Sequence, residues 1–270
     1  MLIHEYRVIL PVTVEEYQIA SLYTIAHMSR EETGGSEGVE VVKNEPFSDY
    51  PLMDGKYSSG QYSFKKYHLD KKMPTILRLI SPKGSKELHE ECWNAYPYCK
   101  TVITNPGFMK DDFRLEIITM HTNDRGKEEN ALQLSQEVLG QREVFVIDIA
   151  NDPVASNDYS RNTDPKLYRS AKTNRGPLQG DWVDTVTPVM TCYKLVTVHF
   201  RWFGLQNKVE KILQNFQRRL YTVVNRKLFC LMDEWYNLTL EDIRKFEEET
   251  KAFLNQQRTC GVVTGTVDFT

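Results

Sequence analysis

Several polar side chains sit out of phase with the apolar faces that carry them, and their types share a chemistry. In the segment 193–203 the even positions read Lys194, Val196, Val198, Phe200 and Trp202, and the odd ones Tyr193, Leu195, Thr197, His199 and Arg201. Side chains alternate across a strand, so Lys194 falls on the buried face, where an unpaired ammonium is costly. In 113–121 the odd face reads Phe113, Leu115, Ile117, Thr119 and His121, which carries Thr119 inward. Ser63 and Lys65 are two apart and share a face, a hydroxyl beside a cation. Near the C-terminus Leu240, Ile243, Phe246, Thr250, Phe253 and Leu254 form a helical stripe, and Glu247 lies on it. Lysine, threonine and serine suit phosphate oxygens, whereas a carboxylate or an amide suits the hydroxyls of a sugar or polyol. Together they predict an apolar cavity whose few polar groups orient an amphiphile with an anionic head. Each also has a plainer reading: a strand-end lysine snorkels to water, and a stripe glutamate pairs with a nearby arginine.

Signatures of catalysis are weak. "TGGSEG" (33–38) lacks the GK[ST] of a phosphate loop and the spacing of a dinucleotide fold, and reads as a helix-ending loop. "HEEC" puts His89 and Cys92 three apart, a spacing a metal could use on a helix, but the other histidines (4, 27, 68, 121, 199) are scattered. No GxSxG occurs. The residues predict neither an enzyme nor a metal or cofactor site.

These side chains need strands and helices to hold them. The first dozen residues read as a strand ending at Pro11. "TVEE" (13–16) then makes a capping box, with Thr13 as N-cap and Glu16 at N3, ahead of a helix that "ETGGSEG" ends. "VEVVKNEPF" reads as the next strand, and "DYPLMDGKYSSG" (49–60) as a loop. Further strands are expected near 61–69, 76–81, 98–104, 113–121, 144–150 and 193–203. Two helices close the chain, roughly 205–232 and 240–257, the second capped by Thr239 with Asp242 at N3. Strands in a meander with helices at the ends predict a single α+β domain with an antiparallel sheet.

Composition bounds the class. The 270 residues are 40% hydrophobic and 26% charged, which predicts a globule and not a disordered chain. A net charge of −3 argues against nucleic-acid binding. The N-terminus "MLIHEYRVILPV" lacks a signal-peptide core, and no apolar run approaches the ~20 residues that span a bilayer. Five cysteines without CxxC spacing argue against disulfides and structural zinc. A cytosolic, monomeric protein is expected.

The stretches "EYRVILPVTVEEYQ", "GVEVVKNEPF", "GQYSFKKYHL", "CWNAYPYCKTVITN", "RSAKTNRGPL", "CYKLVTVHFRWFGLQNKVE" and "DIRKFEEETK" closely resemble the phosphatidylinositol transfer proteins. The resemblance runs over about residues 2–257, and the lack of an appended domain points to the single-domain class; the tail 258–270 departs from it. It implies a concave, mostly antiparallel sheet gripped by long helices, a START-like helix-grip fold. That fold encloses one phosphatidylinositol or phosphatidylcholine, exchanged between membranes in support of phosphoinositide synthesis. Carried over residue by residue, the inositol-binding set is Ser63, Lys65, Asn94 and Glu247, with Ser63 in place of the usual threonine. The phosphate set is Thr101, Thr119 and Lys194, with Ser21 where the family has a glutamine.

The resemblance also implies features around that pocket. Ser170, among Arg169, Lys172 and Arg175, matches a regulatory phosphorylation site, and Asn174 stands where glycine is common and tolerates positive φ. Cys99 matches a thiol lining the cavity. Trp202 and Phe203 stand where the family has two tryptophans that dock on membranes. Strand phase puts Trp202 with the apolar face and Phe203 outside it, unless Phe203 packs under the following helix. Opening is expected near the last helix and the exchange segment that follows 68–79. Implied partners are the phospholipid, a transient membrane surface such as Golgi or endoplasmic reticulum, and lipid kinases. The alternatives are a lipid-gated adaptor presenting its cargo to a kinase, and a helix-grip enzyme acting on a bound amphiphile.

Overall fold

The computed structural model describes residues 1–34, 37–69 and 87–260, the last three of these by backbone only. Eight strands form one sheet: β1 (Leu2–Leu10), β2 (Gly38–Phe47), β3 (Gly60–His68), β4 (Glu87–Ala95), β5 (Tyr98–Thr104), β6 (Phe113–Thr122), β7 (Glu143–Asp148) and β8 (Met190–Phe200). Their order is β2-β3-β4-β5-β6-β8-β1-β7, antiparallel throughout except for the parallel pair β1–β7. The meander thus runs from β2 to β6, while β1 is inserted between β8 and β7.

Helix α1 (Val14–Glu32) starts at the expected capping box: Glu16 N–H donates to Thr13 Oγ1, and Thr13 N–H to the Glu16 carboxylate. Short α2 (Gln136–Gln141) and α3 (Trp182–Thr185) lie in the connections. Then come α4 (Gln206–Cys230), the single turn α5 (Met232–Trp235) and α6 (Leu240–Cys260). Asp242 N–H donates to Thr239 Oγ1 at 3.2 Å, so the cap of α6 stands as expected, and the helix runs to Cys260, past the expected end at 257. α4 packs on β1 and β8, while α6 packs on α1 and β2.

Two clusters divide the apolar interior. The larger joins Tyr6, Val8 and Leu10 of β1 and Val196, Val198 and Phe200 of β8 to Tyr17 of α1 and Tyr221, Leu228 and Phe229 of α4. The smaller lies on the other side of the sheet, where Ile3, Tyr98, Met120, Tyr193 and Leu195 are covered by Leu52, Ala131 and Leu132. This is an α+β fold whose long helices grip one face of a mostly antiparallel open sheet.

Three expectations need correction. "HEEC" is not helical but part of β4, so His89 and Cys92, an odd number of residues apart, face opposite sides of the sheet. β8 spans Met190–Phe200 and stops three residues before the expected end, so Trp202 is placed by a turn and not by strand phase. Leu240 is 43% exposed, because it begins the helix before the stripe meets its partners; Ile243 and Leu254 are fully buried. The strand expected at 76–81, the exchange segment and residues 261–270 of the tail lie outside the described residues.

Candidate functional site

Register brings the polar residues together. Residues directly paired across strands share a face of the sheet. One row of pairs runs Asn44, Ser63, Cys92, Thr101, Ile117, Val196. The next runs Gln61, Asn94, Cys99, Thr119, Lys194, Tyr6. A third contains Lys65, Glu90, Ile103 and Leu115. Ser63, Lys65, Asn94, Cys99, Thr101, Thr119 and Lys194 therefore all lie on one face, the face gripped by α1, α4 and α6.

At the β3–β4 end, Lys65 Nζ donates to Glu90 Oε1 at 3.0 Å, and Tyr67 OH donates to Glu90 Oε2 at 2.8 Å. Burial works against the charge on Lys65, but the adjoining Glu90 carboxylate, together with Tyr67 and Cys92, outweighs it and raises the lysine pKa above its ordinary value. Burial, reinforced by the same carboxylate, pushes the Tyr67 phenol up. Asn94 is held by β4, and its Oδ1 is buried with no hydrogen-bond partner among the described residues. A Cβ on Gly60 would collide with the Asn94 carbonyl oxygen, so glycine here lets β3 come close beside Asn94.

Glu247 reaches this end from α6. It accepts from Arg244 Nη1 at 2.5 Å and from Asn44 Nδ2 at 3.1 Å, and Gln61 Nε2 donates to Asn44 Oδ1 at 2.8 Å. The arginine pairing is the plainer reading made from sequence, and the Asn44 bond adds a tie between helix and sheet edge. Gln18, Gln61, Asn94, Tyr96 and Arg244 line a cleft of about 250 Å³ beneath it. Ser21 shares the inward face of α1 with Tyr17 and Thr24, and its hydroxyl donates to Gln18 O at 3.3 Å.

At the β6–β8 end, Lys194 Nζ donates to Thr119 Oγ1 at 3.4 Å and lies 5.2 Å from the Tyr221 ring centroid. Cys99 Sγ is 4.0 Å from Thr101 Oγ1 and 3.4 Å from Cys92 Sγ. His121 donates from Nδ1 to Pro97 O at 2.7 Å, with its ring against Tyr17 and Tyr96. Burial, helped by the Lys194 charge, lowers its pKa to about 3, so the imidazole is neutral. Among the described residues no three histidine, cysteine or acidic side chains are grouped to hold a metal, and no helix is long and apolar enough to cross a membrane.

Three expected residues stand apart from this cluster. Trp202 is half-buried in the turn after β8, tilted against Phe108 at 5.8 Å, while Phe203 is 103% exposed. Phe203 therefore does not pack under α4. Ser170 is 1% exposed: it donates from Oγ to Asp233 Oδ1 at 2.5 Å and accepts from Thr173 N–H. Asn174 holds φ at 61°, as its side chain allows.

Sequence reasoning missed Gln18, Asn44, Gln61, Glu90, Arg244 and Tyr221. Only strand register or helix packing reveals them, although an acidic residue opposite a buried lysine is a signal one could have sought.

The profile of the family described as "Phosphatidylinositol transfer protein" matches residues 1–252. The chain is 46% identical to the phosphatidylinositol transfer protein beta isoform of Homo sapiens over 98% of both chains, and equally so to that of Rattus norvegicus. It is 49% identical to phosphatidylinositol transfer protein 2 of Dictyostelium discoideum, over 94% of this chain and 95% of the other.

Proposed function

The chain belongs to the phosphatidylinositol transfer protein family, and from that premise we propose that it carries one phosphatidylinositol or phosphatidylcholine at a time between membranes. Each methylene drawn into water costs about 0.8 kcal/mol, so a two-chain lipid needs an apolar enclosure to leave a bilayer. The acyl chains lie between the sheet and its helices. Ser63, Lys65, Asn94 and Glu247 meet the inositol, and Thr101, Thr119, Lys194 and Ser21 meet the phosphate. The observation that carries this reading is the shared face: seven polar residues from β3, β4, β5, β6 and β8 point at one space under the helices. The buried, unpaired Asn94 Oδ1 adds an acceptor for an inositol hydroxyl.

Binding fits better than acid–base chemistry, because the acids here are already engaged. Glu90 holds Lys65, Glu247 holds Arg244 and Asn44, and His121 is kept neutral against Pro97 O. Native mass spectrometry of the purified protein should find one intact phospholipid per chain; a cleaved product would point to an enzyme instead. Glu247→Gln should lower phosphatidylinositol transfer relative to phosphatidylcholine by about 10- to 100-fold, the worth of a hydrogen bond to a charged group. An unchanged ratio between the two lipids would remove Glu247 from the headgroup site.

Trp202 and Phe203 form the docking corner. Phe203 is free to enter a bilayer, and burying a phenylalanine ring contributes about 1.5–3 kcal/mol. Phe203→Ala should therefore weaken vesicle binding and slow transfer without changing thermal stability. Phe203→Trp, which restores an indole N–H for the interface, should strengthen docking. Transfer at wild-type rate by Phe203→Ala would show that the corner does not touch the membrane. Phosphorylation of Ser170 is a regulatory event that must first draw the hydroxyl away from Asp233. Delivery of the lipid to a kinase follows from the same pocket.

A further inference from the structure

α4 carries three side chains that meet buried phenols or present one. Gln214 accepts from Tyr6 OH at 3.0 Å and Asn225 accepts from Tyr17 OH at 3.4 Å, so those two hydroxyls are satisfied. Tyr221, between them on the same helix, is 7% exposed, and its hydroxyl has no hydrogen-bond partner among the described residues. Its ring is fixed edge-on by Tyr6, at 5.5 Å, and lies below the Lys194 ammonium at 5.2 Å. Phenylalanine would fill the same space without stranding an oxygen, and a buried hydroxyl with nothing to bond is destabilising.

Lys194 has three N–H donors; one goes to Thr119 at the long distance of 3.4 Å and another meets the buried Cys192 thiol, which leaves one to spend. An acceptor placed between Lys194 and Tyr221 would satisfy both. We propose that the Tyr221 hydroxyl is a direct ligand of the lipid phosphate, a further donor beside Thr101, Thr119 and Lys194; this rests on the phospholipid reading of the cavity. A phosphate diester offers two non-bridging oxygens, each able to accept more than one hydrogen bond. Lys194 takes one side of that group and Tyr221 the other, so α4 shares with the sheet in holding the head. Burial first, then nearby Cys192, Tyr6, Glu90 and Cys99, pushes the phenol well above its ordinary pKa, so the oxygen keeps its proton and remains a donor.

Tyr221→Phe tests this, since it deletes one oxygen that bonds none of the described residues and leaves no cavity. Circular dichroism melts should show no loss of stability against wild type. Transfer between vesicles of phosphatidylcholine containing phosphatidylinositol should fall about 10-fold for both lipids, because both carry the phosphate. Uptake of diacylglycerol, which has the tails and no phosphate, should be unchanged. Wild-type transfer of both phospholipids by Tyr221→Phe would overturn the assignment, as would an equal loss of diacylglycerol uptake, which marks a packing role. Loss confined to phosphatidylinositol would also overturn it, by moving the hydroxyl to the inositol. Failure of wild-type protein to carry any phospholipid would instead sink the reading of the cavity itself.

Discussion

Lys65→Ala is expected to cost the fold about 3–5 kcal/mol as well as selectivity for inositol. That is the penalty for breaking a buried ion pair by removing one partner. The side chains of Lys65 and Glu90 are 21% and 13% exposed, and Tyr67 OH already occupies the second Glu90 oxygen. Alanine would leave the carboxylate facing an apolar interior with a phenol as its remaining bond. Urea denaturation should show the loss directly. The functional part needs a second protein, Lys65→Met with Glu90→Gln, which removes both charges, keeps the bulk, and lets Tyr67 donate to an amide oxygen. This double variant should fold nearly as well as wild type yet transfer phosphatidylinositol poorly relative to phosphatidylcholine. Single-variant stability equal to wild type would refute the buried pair, and a normal lipid ratio in the double variant would refute the headgroup role.

A second large effect is acid destabilisation through His121. Its pKa is about 3 folded against 6.5 ordinarily, so between those values the unfolded chain binds more protons. Stability is then fully present above pH 6.5 and is lost as pH falls toward 3. The full difference is on the order of 5 kcal/mol, of which about 2.5–3 kcal/mol is lost by pH 4.5. His121→Asn keeps a donor near the Nδ1 position for Pro97 O but cannot protonate. Between pH 7 and 4.5, wild type should lose that much more stability than His121→Asn in urea melts. Parallel losses in the two proteins would show that His121 is not held neutral by the fold.

Much of the frame was legible where structure is local. The Thr13–Glu16 box needs four residues, and the apolar runs of β1, β6 and β8 mark strands that are covered on both faces. β4 escaped because "ELHEECWNA" has no apolar face to advertise: Glu90, Cys92 and Asn94 stand on its inward side, and Glu87, His89 and Glu91 are half-buried on the other. The end of β8 was misjudged because Trp202 continues the apolar phase after the backbone has left the sheet at Phe200. Lys194, Thr119 and Glu247 stood out as polar groups on apolar faces. Ser63 was visible as a hydroxyl sharing a face with Lys65, whereas Asn94 came from resemblance alone, since nothing in a half-polar strand marks one amide as special. Glu90 lies 25 residues from Lys65, and Asn44 lies 203 from Glu247; only register and packing make them neighbours.

The insertion of β1 between β8 and β7 has a consequence for synthesis. Leu2–Leu10 leaves the ribosome well before its partners, residues 143–148 and 190–198. The β2–β6 meander can assemble while the chain grows, whereas an apolar first strand waits with both edges open until most of the protein has been made. The cleft is completed later still, because Arg244, one of its lining residues, arrives on α6. The growing chain must shield Leu2–Leu10 from other strands until β8 emerges.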